Sequence, residues 1–548
     1  MSTRRDILRT AGITALAASL PGIVHAWTDR TDYQSPRTKT APPSGYNSPT
    51  SETKASETRP TLEEYIKQNK ERWLVGDYEP FLRMDCTSTK VGEDLAQKTI
   101  CASYLEQLLL RKGFTPRVFI GKDTPQKEML SNPVETGLDS IRPVVYFEII
   151  TDPSLSTSLL GTHYDRRPKN DNLDDPWKTP WLEPVRKEVT EEFGGREIKD
   201  TRIYVRGADD SVGHIMSIIW ALEAYQKVSG SLPVNVKVMF EGAEEIGSPG
   251  MDTFIEKYKK LLKADLVIVE DAPTTRSGIP AIYTRLRGTL DGEICVKTSE
   301  AEGHSGGGSF IPNAEGVLAK VMGRIEDPLT KEVFLQAYKQ FKEPTLEEKE
   351  YVKSIRPDLS REEVKDKYGL MKILGSGHPA VTTILYPSWD WQATPQENKE
   401  GIIPSRACKV FMARLVPGQN PQKIFSELEE KIKHFPEAKY AQISVTYISG
   451  SPAVAASLGQ KSHYYLTLEK TLKQAFAATE LDLVWDGAGE PIYSFFQKNG
   501  FPVALIALGN DKDNPHGTNE SMLVNYGLLL GVRWNFLMIS SFGKGEIK

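Results

Sequence analysis

The chain of 548 residues contains only four cysteines, and no two of them form a C-x-x-C pair. A zinc site built from cysteine thiolates is therefore not expected. Cys86, Cys101, Cys295 and Cys408 are either buried thiols or, in an oxidising compartment, disulfide partners. Cys295 and Cys408 lie in two strand-like segments that can be neighbours, so the sequence leaves both alternatives open.

An excess of positive charge is also missing. The 68 lysines and arginines are outnumbered by 73 aspartates and glutamates, which gives a net charge of −5 and no basic footprint for nucleic acid. After the N-terminal region, no stretch reaches the roughly 18 uninterrupted apolar residues of a membrane span. The length suffices for two or three domains with cores of their own.

The N-terminal residues 1–26 have the organisation of an export signal. Arg4 and Arg5 precede the apolar stretch AGITALAASLPGIV, and V-H-A ends at Ala26. The segment S-T-R-R resembles a twin-arginine signal, which predicts recognition by the twin-arginine export machinery and a periplasmic or secreted bacterial protein. A membrane anchor is the alternative, but the stretch is short and Pro21 interrupts it. Residues 27–60 are rich in Ser, Thr and Pro and are predicted to be a flexible linker.

From residue 61 onward, apolar strand-like runs alternate with helical patterns. This alternation predicts an α/β fold with a mixed, largely parallel sheet, formed by residues 61–287 and 453–548. Residues 288–452 have a strand–helix–strand–helix–strand pattern with room for a further strand. That pattern predicts an inserted ferredoxin-like α+β domain.

Acidic and histidine side chains follow several of the short apolar runs. The segment FEGAEEIGS places Glu244 and Glu245 directly after VNVKVMF, and the other groups are His163 and Asp165 in LLGTHYD, Asp209 and Asp210 in VRGADDSVG, Asp271 in LVIVED and His516 in NPHGTNE. Ligands of open α/β sheets bind beyond the carboxyl ends of the strands, so these groups are expected to converge. Imidazole and carboxylate ligands without thiolate suit zinc, with cobalt or manganese as substitutes.

The order of these motifs resembles that of a known family. Five motifs follow one another along the chain: H-x-D, R-G-x-x-D-x-x-G, E-E followed by I-G-S, an aspartate closing a strand, and a late histidine before N-E. In this order they resemble the cocatalytic two-zinc metallopeptidases, and the resemblance covers nearly all of residues 61–540. This family comprises carnosinases, bacterial dipeptidases, glutamate carboxypeptidases and aminoacylases.

The resemblance implies a metal centre with two Zn²⁺ per chain and a water shared between them. His163 and Asp271 would hold one ion, Glu245 and His516 the other, and Asp210 would bridge them. Glu244 would be the general base, and Asp165 would orient the ring of His163. Asp209 falls outside the ligand set and is interpreted as a residue at a helix start.

The inserted segment carries two further matches. His304 in EGHSGGGSF resembles a lid histidine that reaches the partner subunit's active site and stabilises the oxyanion. Arg414 in FMARLVPGQ resembles an arginine that grips the substrate carboxylate. The resemblance therefore implies a homodimer in which residues 288–452 form a lid and dimerisation domain. The remaining histidines match no motif and are expected to be structural or surface residues: His214, His378, His434 and His463.

Two departures from the family pattern concern the substrate. Where the family commonly has D-D-K-G, this chain has Asp210-Ser211-Val212-Gly213, and a G-G-S segment that touches the substrate carboxylate is replaced by Gly487-Ala488-Gly489-Glu490. A glutamate there would repel a free carboxylate or recognise an amine. The leading hypothesis is an exported dipeptidase or carboxypeptidase acting on dipeptides or short peptides. The alternatives are an N-acyl amino acid amidohydrolase and a non-catalytic binding protein on the same fold.

Overall fold

The computed structural model describes residues 59–89, 94–139, 141–170, 176–355, 359–368, 377–392, 401–455, 458–459, 461–485 and 490–543. The predicted export signal 1–26 and all but the last two residues of the predicted linker lie outside these ranges. None of the helices in these ranges combines the length and the apolar character that a bilayer crossing requires.

The strands of the described residues belong to four sheets. In chain order they are β1 (Arg117–Ile120), β2 (Pro133–Glu135), β3 (Val144–Ile149), β4 (Thr157–His163), β5 (Val185–Phe193), β6 (Arg196–Tyr204), β7 (Asn235–Glu241), β8 (Leu266–Pro273), β9 (Ala281–Leu286), β10 (Gly288–Lys297), β11 (Gly303–His304), β12 (Ser388–Trp391), β13 (Ile402–Ile403), β14 (Arg406–Leu415), β15 (Gln442–Ser451), β16 (Val454–Ala455), β17 (Asp482–Trp485), β18 (Val503–Gly509) and β19 (Ser521–Leu523).

The described residues form fourteen α-helices. They are α1 (Leu62–Trp73), α2 (Glu79–Leu82), α3 (Leu95–Arg111), α4 (His214–Val228), α5 (Met251–Lys257), α6 (Lys259–Leu262), α7 (Ala314–Ile325), α8 (Leu346–Ile355), α9 (Arg361–Tyr368), α10 (Pro379–Leu385), α11 (Pro421–Lys433), α12 (His463–Phe476), α13 (Pro491–Lys498) and α14 (Leu529–Gly543).

The central sheet is mixed and has the order β16-β9-β18-β8-β4-β7-β3-β1-β2, with β17 paired to β9. Its middle strands β18, β8, β4 and β7 are all parallel to their neighbours in this group. Antiparallel pairings flank them, between β3 and β7 and between β18 and β9. The predicted α/β class with a mixed, largely parallel sheet is confirmed.

Both faces of the central sheet are covered, which explains the continuous apolar runs of its middle strands. Every residue of β7 and of β18 is buried. On β4 and β7, Leu160 and Val238 belong to one core, while their chain neighbours Leu159 and Met239 belong to the core on the opposite face. Because successive strand side chains point to opposite faces, one strand can serve both cores.

The chain leaves the central sheet after β9 and re-enters it at β16, and the residues between form the insertion. Its four-stranded antiparallel sheet has the order β12-β14-β10-β15, with α7 and α11 packed against it through residues such as Val321 and Leu428. The order β10–α7–β12–β14–α11–β15 along the chain is the β-α-β-β-α-β order of ferredoxin-like modules. The further strand expected in this region is β12. The lid and dimerisation roles of this insertion stay predictions.

Two disulfides join the four cysteines. Cys295 and Cys408 lie directly opposite each other on β10 and β14, with 4.1 Å between their Cα atoms. Cys86 and Cys101 form the second bond, with Cα atoms 6.1 Å apart. The structure thus decides the alternative that the sequence left open, in favour of disulfides.

Candidate metal centre and active site

The five predicted metal ligands lie at one edge of the central sheet. His163 ends β4, and Glu245 lies in a short 3₁₀ turn just after β7. Asp271 is near the end of β8, and His516 follows β18. Because β18, β8, β4 and β7 are parallel neighbours, their carboxyl ends meet at this edge.

Asp210 reaches the same edge from an irregular turn, Ala208–Gly213, that leads into α4. The backbone at Asp210 is not helical, with φ −101° and ψ 87°. The main-chain N–H groups of Asp209 and Asp210 both donate to Glu520 Oε1 at 3.2 Å. Glu520 is fully buried and pairs with Arg206 Nη1 at 2.7 Å. This buried pair fixes the turn that presents Asp210, and no sequence motif indicated that the two residues pair.

The five side chains form two clusters that share Asp210. His163 Nε2 lies 2.9 Å from Asp210 Oδ1 and 3.3 Å from Asp271 Oδ1. His516 Nε2 lies 2.9 Å from Asp210 Oδ2 and 3.1 Å from Glu245 Oε2. In each cluster the possible ligand atoms lie within 4.8 Å of one another. The two oxygens of Asp210 therefore point to different histidines, which is the arrangement a bridging carboxylate requires.

The carboxylates of these clusters raise the pKa values of both histidines. Burial opposes the charged form of His516, but its hydrogen bonds to Asp210 and Glu245 outweigh burial and raise its pKa to about 11. Burial likewise opposes the charged form of His163, but Asp271, Asp165 and Asp210 raise its pKa well above the usual range. A metal ligand must be the neutral imidazole, so protons and cations compete for these sites.

The residues present fit two divalent cations. Each cluster supplies one imidazole nitrogen and carboxylate oxygens, a donor set that suits zinc, cobalt or manganese. Without cations, crowded buried carboxylates repel one another, and cations would relieve that repulsion. Glu293, Cys295 and Cys408 also lie close together, but the disulfide removes both thiolates as ligands.

Glu244 lies beside the clusters without being part of either. Burial raises the pKa of Glu244 well above its usual range, and the neighbouring carboxylates Asp271, Glu245 and Asp210 raise it further. The Glu244 carboxylate lies within 4.8 Å of that of Asp271, a member of one cluster. The role of general base stays a prediction for Glu244.

Asp165 connects the histidine motif to the glutamate pair. His163 Nδ1 lies 3.2 Å from Asp165 Oδ1, which fixes the ring while Nε2 faces the cluster. The same carboxylate accepts the main-chain N–H groups of Glu244 at 3.0 Å and Glu245 at 3.2 Å. Ser88 Oγ donates to its other oxygen, Oδ2, at 2.5 Å. Asp165 thus orients a ligand and also holds the turn of the glutamates, a second role that the motif did not indicate.

Two further residues support individual ligands. Ser211 Oγ donates to Asp271 Oδ1 at 2.6 Å and accepts a hydrogen bond from Thr162 Oγ1 at 2.8 Å. The departure from D-D-K-G therefore places a hydroxyl on a candidate ligand. Arg167 Nε lies 2.9 Å from Glu245 Oε2. The arginine follows the H-x-D motif by two positions, which is the only sequence signal that pointed to it.

The remaining residues near the motifs have other surroundings. Asp209 is buried, and its Oδ1 lies 3.3 Å from Nε2 of the buried His214. Of the other histidines, His378 precedes α10, His463 begins α12, and His434 follows α11 with an exposed side chain.

His304 and Arg414 lie in the insertion. His304 is exposed on β11, and its Nδ1 accepts the main-chain N–H of Gly306 at 3.0 Å. Arg414 lies on β14 between Thr289 of β10 and Ser388 of β12. In the part of the chain that the structure describes, no hydrogen bond or ion pair joins either side chain to the five ligand candidates. Their predicted roles toward substrate stay predictions.

The sequence is similar to those of known peptidases. The sequence model of the peptidase family M20/M25/M40 matches residues 159–532. A Beta-Ala-His dipeptidase of Homo sapiens is 27% identical over 414 residues, covering 72% of this chain and 75% of the relative. A Cys-Gly metallodipeptidase of Candida albicans is 27% identical over 458 residues, covering 80% and 88%.

Solved structures show the same fold. The structure of human carnosine dipeptidase 1 has a TM-score of 0.69 at 23% identity and covers 88% of this chain and 99% of that chain. An M20 family metallo-carboxypeptidase from Sulfolobus solfataricus has a TM-score of 0.67 at 23% identity, covering 86% and 99%.

Proposed function

Since the chain belongs to the peptidase family M20/M25/M40, we propose that it is a metal-dependent dipeptidase that hydrolyses the amide bond of dipeptides or short peptides. The observation that carries this proposal is the pair of clusters sharing Asp210, with Glu244 beside them. The relatives support a dipeptide substrate, because the two relatives described above carry dipeptidase names. They are named for different dipeptides, so the side chains of the substrate are not proposed.

Each chain would hold two divalent cations, and the donor set suits zinc. His163, Asp210 and Asp271 would hold one, and Asp210, Glu245 and His516 the other. When bound, such cations polarise the scissile carbonyl and make water acidic enough to lose a proton near neutral pH. Glu244 would take that proton and deliver it to the leaving amine. Asp165 would keep His163 and the glutamate turn in place throughout.

The insertion would complete the site. His304 would stabilise the oxyanion from across a two-fold dimer, and Arg414 would bind the substrate carboxylate. Closure of this domain would exclude bulk water and strengthen both interactions. The exposure of His304 supports this proposal, because a side chain that reaches another subunit must not be buried in its own subunit.

We also propose export to an oxidising compartment by the twin-arginine route. Two disulfides in the structure support it, because structural disulfides are rare in the cytosol of most organisms. Replacing Arg4 and Arg5 together by lysine should leave an uncleaved protein in the cytoplasm. Normal export of that double variant, measured by fractionation, would show that the signal is not of the twin-arginine type.

The proposed activity is tested by metal analysis together with a substrate panel. Elemental analysis of active protein should find two cations per chain. Chelation should abolish activity, and zinc, cobalt or manganese should restore it. Dipeptides should be cleaved in preference to N-acyl amino acids. The opposite preference would favour an amidohydrolase, and metal binding without any hydrolysis would favour a binding protein.

A further inference from the structure

Glu490 is a buried carboxyl that the proposed mechanism does not use. It immediately precedes α13, its side chain is only 4% exposed, and its carboxylate lies within 4.8 Å of those of Glu244 and Asp271. One oxygen, Oε1, is buried and has no hydrogen-bond partner among the described residues. The residue therefore extends the carboxylate edge of the metal centre beyond the general base.

An unpartnered carboxyl oxygen is costly inside a protein, so its presence calls for an explanation. The groups nearest to the Glu490 carboxyl are themselves acidic: it lies beside Glu244 and Asp271, and it shares a side-chain hydrogen bond with Asp271. The neighbouring Glu245, in contrast, has Arg167 and His516 beside it. The group of Glu244, Asp271 and Glu490 is thus rich in acceptors. Asp271 faces His163, whereas no ion pair joins Glu244 or Glu490 to a basic side chain among the described residues. Glu244 and Asp271 are partly exposed, so this group is open to a ligand from solvent.

We propose that Glu490 determines substrate specificity by binding the free ammonium group of the substrate's amino-terminal residue. This inference rests on the proposed peptidase function and adds a substrate class to it. An ammonium has three N–H donors and a positive charge, and the three carboxyls offer acceptors around one point. The ammonium would reach Oε1 of Glu490 and the exposed sides of Glu244 and Asp271.

The covalent geometry of a dipeptide places its ammonium at the right distance. The amino nitrogen lies about 2.5 Å from the carbonyl carbon of the same residue. That carbonyl must lie close to Glu244, because a general base acts within about 2.6–3.2 Å of the atom that loses the proton. A residue that adjoins both Glu244 and Asp271 is therefore within reach of the ammonium. An N-acyl amino acid has no charge at this point and would leave Glu490 unpaired.

A third divalent cation is the competing occupant of the same carboxyls. It would need the carboxylate of Glu244 as a ligand, and direct coordination by a divalent cation weakens a carboxylate as a base far more than a hydrogen bond from an ammonium does. A substrate ammonium needs only hydrogen bonds and leaves Glu244 able to react. The geometry therefore favours the ammonium.

The test compares two substrates that differ only in the ammonium. Alanyl-X and propanoyl-X have the same scissile bond and nearly the same shape, where X is the carboxyl-terminal residue preferred in the dipeptide panel. Glu490→Gln should lower kcat/KM for alanyl-X by about 10- to 100-fold, mainly through KM, since this is the effect expected on losing one charged hydrogen bond. For propanoyl-X, measured as a substrate or as a competitive inhibitor, the change should be less than about threefold.

Controls separate this effect from damage to the fold. Glu480→Gln makes the same chemical change at an exposed position that pairs with Arg276 and should alter neither constant. Glu490→Asp keeps the charge and should restore part of the selectivity. Thermal unfolding of each variant reports on folding independently of activity.

Equal losses for both compounds would overturn the inference and make Glu490 a positioning residue for Glu244. One cation fewer in Glu490→Gln than in the wild type would assign the carboxyls to a metal instead. If the wild-type protein cleaves alanyl-X and the Glu490→Gln variant keeps the same preference for alanyl-X over propanoyl-X, the inference is refuted. The proposed function would still stand. Wild-type protein that cleaves neither compound would refute the proposed function itself.

Discussion

The metal-ligand edge and the insertion differ in how firmly their candidate residues are held. At the edge, His163 is buried and fixed by Asp165, and Asp210 is fixed through the main chain by Glu520. In the insertion, His304 is exposed and its ring accepts one local hydrogen bond. The fold of one chain thus assembles the ligand set. His304 and Arg414, which are predicted to bind substrate, have no hydrogen bond or ion pair to that set among the described residues.

The largest effect should come from the residue shared by both clusters. Asp210→Ala removes a ligand oxygen from each cluster, so both cations should be lost and activity should fall below detection. Asp271→Ala is the matched comparison, because it takes a ligand from one cluster only. Elemental analysis after gel filtration measures the difference. An Asp210→Ala protein that retains two cations would show that this carboxylate does not bridge.

Replacing the proposed base should separate metal binding from turnover. Glu244→Gln keeps the shape of the side chain but cannot accept a proton, so kcat should fall by about 10²–10⁴-fold. Metal content should not change, because Glu244 belongs to neither histidine cluster. Steady-state kinetics and elemental analysis on the same preparation check both statements. Near-normal turnover would mean that another group is the base.

The insertion is tested by mixing subunits. His304→Ala should reduce kcat by about 10²–10³-fold if the ring stabilises the oxyanion. When this variant is co-expressed with Glu244→Ala, each heterodimer has one site in which both residues are intact. Activity should return to about half of wild type per heterodimer, since groups that act as a unit are strongly non-additive.

Purified heterodimers without recovered activity would place His304 in the site of its own chain or outside catalysis. A fully active monomer would exclude a shared site. Either result would show that the insertion, like the metal-ligand edge, needs no residue from a partner subunit.

A smaller effect is expected when residues that position the metal ligands are replaced. Asp165→Asn weakens the hold on His163 and on the main chain of Glu244 and Glu245, and should reduce metal affinity by about 10- to 100-fold. Ser88→Ala removes one of the contacts to Asp165 and should cost less. Competition with a metal indicator measures both. Unchanged affinity in Asp165→Asn would show that the ligands hold their geometry without it.

The smallest effect concerns pH. The pKa of His516 in the metal-free protein is about 11, so at neutral pH a proton occupies the nitrogen that a cation needs. Raising the pH removes this competitor, and metal affinity should rise by about tenfold per pH unit for each proton displaced. Calorimetry in buffers of different ionisation enthalpy would detect the released proton. His304→Ala should leave this dependence unchanged, because His304 lies outside both clusters.

Much of the site followed from local sequence. H-x-D and E-E each place two functional side chains within three residues, and the apolar runs before them identify strands of a sheet covered on both faces. Parallel neighbouring strands bring their carboxyl ends together whatever their separation in the chain. The α/β class and the convergence of His163, Glu245, Asp271 and His516 were predictable for that reason, whereas Asp210 joins them from the turn before α4.

The tertiary structure alone decided the contacts between residues that no local sequence pattern connects. Ser88 reaches Asp165 across 77 positions, and Glu520 holds the main chain of Asp210 across 310. The pairing of Cys86 with Cys101 and the approach of Glu490 to Glu244 are of the same kind. A spacing motif records only what the backbone geometry of one segment imposes. The partner of a buried polar group depends on how distant segments pack, because any nearby donor or acceptor can satisfy it.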